Sequence, residues 1–169
     1  NCTSKALSDV QMEAEYLPEL AGIQKKTVPG KIDSVDFPVP DVAVLRLRLP
    51  PTANFNYLPG QYIDLMYNGI TRSYSIASTP AENNMLELHI RKVENGKFSH
   101  FVFNEFKPNQ LLRMQGPVGT FFVRDNEKPL IFLAGGTGFA PVKAMVESLI
   151  KQDDKRTIHI YWGARTQND

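Results

Sequence analysis

The sequence predicts a chain in two parts, an antiparallel β barrel or sandwich followed by the first strand–helix–strand unit of an α/β fold. Three observations predict it. Short strand-like runs recur between residues 42 and 124, with Pro, Gly and Asn turns between them, as antiparallel β structure requires. Near Asn126 the hydrophobic period changes, and a continuous apolar run is followed by an apolar stripe at helical spacing. A glycine-rich turn, Gly135-Gly136-Thr137-Gly138-Phe139-Ala140-Pro141, joins the run to the stripe.

Residues 1–25 have mixed polarity, broken by Tyr16-Leu17-Pro18-Glu19, and read as a connecting segment that leads into the first strand. Strand patterning begins at Lys31. Residues 42–49 form a half-buried strand that alternates from Leu45 to Leu49 and stops at Pro50-Pro51, which cannot extend a ladder. Residues 62–67 form another, entered through Pro59-Gly60 and left at the tight-turn pair Asn68-Gly69. Further strands are expected at 71–77, 85–93, 111–115 and 120–124. A short helix interrupts them, with Ser99 as its N-cap, Phe98 and Phe103 as a hydrophobic staple, and Pro108 just beyond its end. Residues 129–134 are continuously apolar, the pattern of a strand buried on both faces. Val142, Met145, Val146, Leu149 and Ile150 then mark one face of a helix whose first turn holds Pro141, and residues 157–162 form the next strand. One right-handed βαβ unit results.

Composition narrows the function classes. With 42% hydrophobic and 22% charged residues and a formal charge of +1, the 169-residue chain has no long-range attraction to nucleic acid or anionic lipid. No apolar run approaches a membrane span and no leader pattern appears, so a cytoplasmic protein is expected. Cys2 is the single cysteine, which excludes an internal disulfide or a complete cysteine-ligated metal site in this chain. His89, His100 and His159 are scattered, and no metal ligand is assigned. Both ends, at Asn1 and at Arg165-Thr166-Gln167-Asn168-Asp169, read as those of a piece of a longer protein.

Three segments carry chemistry. In Arg72-Ser73-Tyr74-Ser75, Arg72 and Tyr74 point to one face of a regular strand. An arginine fork suits a phosphate, a phenol ring can lie flat on an isoalloxazine, and the Ser75 hydroxyl or N–H can address a ring nitrogen. Read alone, the same four residues describe a strand with an exposed arginine and a core tyrosine. His89-Ile90-Arg91-Lys92 supplies basic groups and amides beside them, and Gly96-Lys97-Phe98-Ser99 leads into a helix N-terminus that favours phosphate. The glycine turn at 135–141 follows a buried strand and opens a helix, the setting for holding a pyrophosphate. It departs from the common dinucleotide fingerprint, with Pro141 where Gly or Ala is usual, and it is no P-loop, since Lys143 follows Val142.

In order and spacing these segments resemble the ferredoxin-NADP reductase superfamily over roughly residues 30–165. The resemblance implies a six-stranded Greek-key flavin-binding barrel at 26–125 and the start of a Rossmann-like NAD(P)-binding domain at 126–169. Residues 1–25 would be a linker after a ferredoxin-type domain, and the stretch from Cys2 to Asp9 looks like the one just after the last ligand of its 2Fe-2S cluster. The implied cofactors are FAD and NAD(P)H, with the 2Fe-2S cluster only in that preceding region. Tyr74 would stack on the flavin, Ser75 would address its N5 edge and Arg72 would neutralise its phosphates, with Ser73 beside them. His89, Ile90, Arg91 and Lys92 would line the ring and ribityl chain, and Gly96, Lys97, Phe98 and Ser99 would close over the pyrophosphate. Gly135, Gly136, Thr137, Gly138 and Pro141 would cradle the nicotinamide dinucleotide, and Gly163 and Arg165 its adenosine half. The members most similar to this chain pass electrons to a pyridoxamine-phosphate-dependent dehydrase of 3,6-dideoxysugar synthesis. Others serve oxygenases or act as flavin reductases without a cluster; a reading of another class is a catalytically silent flavin- or nucleotide-binding subunit that regulates or docks on a partner.

Overall fold

A computed structural model describes residues 5, 7–11, 13, 15–80 and 84–165. Cys2 and residues 166–169 lie outside them, and with them the expectations attached to those positions. The elements are β1 (Lys26–Val39), β2 (Val42–Arg48), β3 (Tyr62–Tyr67), β4 (Ile70–Ser75), β5 (Met85–Arg91), α1 (Lys97–Asn104), β6 (Leu111–Val118), β7 (Leu130–Gly135), α2 (Phe139–Lys151) and β8 (Ile158–Gly163).

The first six strands pair antiparallel in the order β4-β3-β6-β1-β2-β5, with β6 returning between β3 and β1 in Greek-key fashion. An antiparallel bridge between Ile76 and Leu88 brings the two edge strands together and curls the sheet into a barrel. The period-2 patterns face inward as expected. Leu45, Leu47, Ile63, Leu65, Leu86, Leu88, Ile90 and Met114 fill the interior, while Phe98, Val102 and Phe106 from α1 and the loop after it close one end. Each such side chain contributes about 1.5–3 kcal/mol by leaving water.

The barrel has six strands, but one of them differs from expectation. Residues 120–124 form no strand. Gly119 turns the chain at φ +101, the Phe122 ring is buried, and the Arg124 guanidinium lies 4.0 Å over that ring. The segment is held by side-chain packing and not by a ladder. Its place is taken by β1, a long strand starting before Lys31 and obscured in the sequence by Pro29 and Pro38. Both prolines are tolerable. β2 pairs with β1 only from Lys31 onward, so Pro29 has a partner strand on one side alone, and Pro38 falls in a register shift between Asp36 and Val39.

The α1 cap also needs correcting. The helix begins at Lys97 with Gly96 as N-cap, so Ser99 is its third residue. From there the buried Ser99 hydroxyl accepts the Val93 N–H at 3.1 Å and lies 3.0 Å from the Gly96 carbonyl. It fastens the 93–96 turn to the helix from inside.

β7 and β8 run parallel, in register from Leu130↔Ile158 to Gly135↔Gly163, with α2 between them in the chain. Phe132, Val142, Met145 and Leu149 form their core. The expectation that β7 is buried on both faces does not hold. α2 covers one face, while Ile131, Leu133 and Tyr161 are 66%, 75% and 61% exposed on the other. Among the described residues no helix is long and apolar enough to cross a membrane, and no group of three or more His, Cys, Asp or Glu is placed to hold a metal ion.

Candidate functional site

The three segments singled out in the sequence converge on one groove of about 440 Å³. β4 brings Arg72, Ser73, Tyr74 and Ser75 to it, β5 brings His89 and Arg91, the start of α1 brings Gly96, Lys97, Phe98 and Ser99, and the glycine turn brings Thr137 and Gly138. Val93 and Ala140 line it too. Both belong to segments marked in the sequence, the basic strand and the glycine turn, though neither was expected to touch a cofactor because each is apolar.

Tyr74 is half-buried, its ring 5.7 Å from that of Phe98, so a core aromatic backs the phenol. Burial pushes its pKa up to about 12, with Arg72 pulling the other way. Both side chains line the groove, as residues two apart on a strand can. Arg72 is exposed, and its Nη1 donates to the Thr71 carbonyl at 2.8 Å. Ser73, which also lines the groove, has its hydroxyl tied to Asp64, donating to Oδ1 at 2.6 Å. At the start of α1 the amides of Lys97, Phe98 and Ser99 precede the first intrahelical bond, made by His100 N–H to Gly96 O at 2.9 Å. A helix N-terminus and the Arg72 side chain thus border the same groove.

His89 and Arg91 are held by carboxylates. Glu87 Oε1 lies 3.0 Å from His89 Nε2, while Glu87 Oε2 accepts from Arg46 Nε at 3.1 Å. The Glu87 pKa is lowered to about 2, chiefly by the His89 hydrogen bond and further by Lys143 and Arg46, against the effect of burial. An ionised carboxylate only accepts, so His89 Nε2 carries a hydrogen. Arg91 Nη1 donates to Asp41 at 2.9 Å. Its guanidinium also reaches the glycine turn, where a Cβ added to Gly136 would sit 3.0 Å from Arg91 Nη2.

Several expected residues fall elsewhere. Ile90 is fully buried in the barrel core, so only its backbone faces the groove side. Lys92 lies across the 93–97 turn, its Nζ 5.7 Å above the Phe103 ring. Gly135 and Pro141 do not line the groove; Pro141 is buried in the first turn of α2. Gly136 has φ +49, and its carbonyl accepts the Trp162 indole N–H at 3.1 Å. Phe139 stacks on Trp162 with ring centroids 4.3 Å apart. Gly163 ends β8 beside Trp162 in a separate surface recess, and Arg165 follows it, outside the groove. The sequence reading also passed over Glu87 and Lys143, because an acid in a strand and a lysine in a helix are unremarkable until the fold brings them together.

A closed antiparallel barrel, with an aromatic-backed groove bordered by the glycine turn of a parallel βαβ unit, defines the class of flavin-dependent pyridine-nucleotide oxidoreductases. The chain belongs to the family described as oxidoreductase FAD-binding domain, which matches residues 30–123, and residues 132–169 match the oxidoreductase NAD-binding domain. It is 61% identical, over 96% of its length, to the CDP-6-deoxy-L-threo-D-glycero-4-hexulose-3-dehydrase reductase of Yersinia pseudotuberculosis, covering 49% of that protein. Reductase component 1 of a Comamonas terephthalate 1,2-dioxygenase is 37% identical over 97% of this chain, with 49% of that protein covered. Among solved structures, Amycolatopsis cytochrome P450 reductase GcoB superposes with a TM-score of 0.78 at 26% identity, covering 85% of this chain and 45% of the other. The chain spans about half the length of the relatives it matches.

Proposed function

We propose that this chain is the flavin- and nicotinamide-binding part of an NAD(P)H-dependent reductase that delivers electrons to a CDP-6-deoxyhexulose dehydrase in dideoxysugar synthesis. The observation that carries the flavin chemistry is the convergence of Tyr74, Arg72 and the α1 N-terminus on one groove. The 61% identity to the Yersinia reductase, against 37% to the dioxygenase component, supports the dehydrase as acceptor. That acceptor is a pyridoxamine-phosphate-dependent protein in this reading, and electrons reach it through a 2Fe-2S centre outside residues 26–165, with residues 1–25 as the linker.

The groove's donor set suits FAD. A flat aromatic face, an exposed guanidinium and a helix N-terminus match an isoalloxazine and a diphosphate. When bound, FAD supplies a ring that takes up hydride from NAD(P)H and gives up electrons one at a time. The chain's own residues do the positioning. Tyr74, a neutral phenol backed by Phe98, presents a fixed face. Arg72 and the amides of residues 97–99 hold negative charge from two sides. Ser75 offers a hydroxyl and an N–H at the ring edge, and Thr137 and Gly138 bring the nucleotide-binding turn to the same groove. No protein acid or base is needed, because transfer at this site depends on alignment.

Two measurements test this. Purified chain incubated with FAD should turn yellow and keep the flavin through gel filtration, and anaerobic NADH should bleach it. Colourless protein that takes up no FAD overturns the proposal; bound flavin that NADH leaves unchanged reduces it to a flavin-binding module.

A further inference from the structure

Resting on the functional reading above, the geometry points to Lys143 as a positioning residue that, through Glu87, sets the spacing between the flavin groove and the nucleotide-binding turn. Lys143 lies on α2, five residues beyond Gly138. Its Nζ donates to the Ala77 carbonyl at 3.2 Å and lies 3.2 Å from Glu87 Oε1, both on the barrel. The same Oε1 takes the His89 N–H, and Oε2 takes Arg46. His89 and Gly138 both line the groove, from opposite parts of the molecule. Two walls of one groove are thus joined through a single carboxylate.

The apolar stripe of α2 packs on β7, with Met145 also against Gly60 of the barrel, and apolar contact is non-directional, so it tolerates sliding. Attachment of one ammonium to two acceptors does not. Glu147, one turn along α2, lies 2.9 Å from the same Nζ and fixes the lysine stem from its own helix. Glu87 has only 15% of its side chain exposed and both oxygens engaged, so it cannot swing to follow a displaced lysine. Loss of Lys143 leaves the barrel and the βαβ unit folded and still in touch through Lys151 on Thr79 and Arg91 at Gly136, but removes the tie that runs to Glu87, so the groove walls shift against each other. Such a shift penalises alignment-limited hydride transfer more than binding.

The test uses Trp162, the chain's sole tryptophan, which sits on the βαβ unit and can transfer excitation energy to flavin in the barrel. In FAD-loaded K143M, energy transfer should weaken and the tryptophan lifetimes should broaden. Bleaching by saturating anaerobic NADH should slow about tenfold, with the NADH dependence unchanged. E87Q should behave alike, the double variant should be no worse than either, and K143R should restore both signals. A K143M protein that binds FAD with wild-type lifetimes and bleaching rate overturns the inference, even if it melts at a lower temperature. If wild-type chain takes up no FAD, the functional reading falls first. The tie is then judged by urea unfolding, where strictly additive effects of E87Q and K143M overturn it and non-additive effects uphold it.

Discussion

At Tyr74, burial raises the phenol pKa and Arg72 partly offsets it, leaving a value of about 12. The ring therefore stays neutral throughout the working pH range and acts by shape. Replacing it with Phe keeps that shape, whereas Ala removes the face and uncovers Phe98. Tyr74→Phe should hold FAD within about twofold of wild type, and Tyr74→Ala should weaken it about tenfold or more, read by flavin fluorescence titration. This much was legible in the sequence, since a strand's period alone puts Arg72 and Tyr74 on one face. The burial of Ile90 also follows from that period, although a motif read as a block had grouped it with the site.

Among elements, α1 and the turn before it show what sequence reading misses. Ser99 has the chemistry of an N-cap but works from inside the first turn, because Gly96 takes the cap position and the 93–96 turn folds back over the helix. Ser99→Ala removes the partner of the Val93 N–H in a part-buried bond and should cost about 1 kcal/mol, measured by urea denaturation, with FAD weakened in parallel because the same turn borders the groove. The entry to β3 depends on Gly60 for a different reason. It holds φ +104, and a Cβ there would collide with the Phe121 carbonyl. Gly60→Ala should therefore lower stability by about 1–3 kcal/mol, seen as a reduced melting temperature, with the flavin site itself untouched. The start of β1 before Lys31 and its full length were hidden because proline usually ends a strand. It is tolerated here at a one-sided stretch and at a bulge, features set by the length and register of neighbours that no local pattern reveals.

For the molecule as a whole, stability should follow the Glu87 carboxylate. Its pKa lies near 2 in the fold, below the ordinary value of 4.5, with the His89 hydrogen bond as the largest cause and Lys143 and Arg46 adding to it. The folded state favours the ionised form. The stabilisation is therefore complete above about pH 4.5 and fades as the pH falls towards 2. Wild-type melting temperature should drop through that window, and Glu87→Gln should flatten the drop, as followed by circular dichroism. The two-part architecture was readable because hydrophobic period changes at Asn126 and a glycine turn marks the crossover. The bond network that joins the parts was not, since Glu87 and Lys143 are 56 residues apart in the sequence and meet only after the barrel closes.

The uncovered side of β7 has a colloidal consequence. Ile131, Leu133 and Tyr161 present an oily strip on a sheet that, among the described residues, has only two strands, the kind of surface that draws proteins together. Stretches of protein like this one should self-associate as they are concentrated, and light scattering should rise in ammonium sulfate and fall in dilute urea well before the barrel melts. Leu133→Lys should keep the preparation monodisperse at concentrations where the parent clouds.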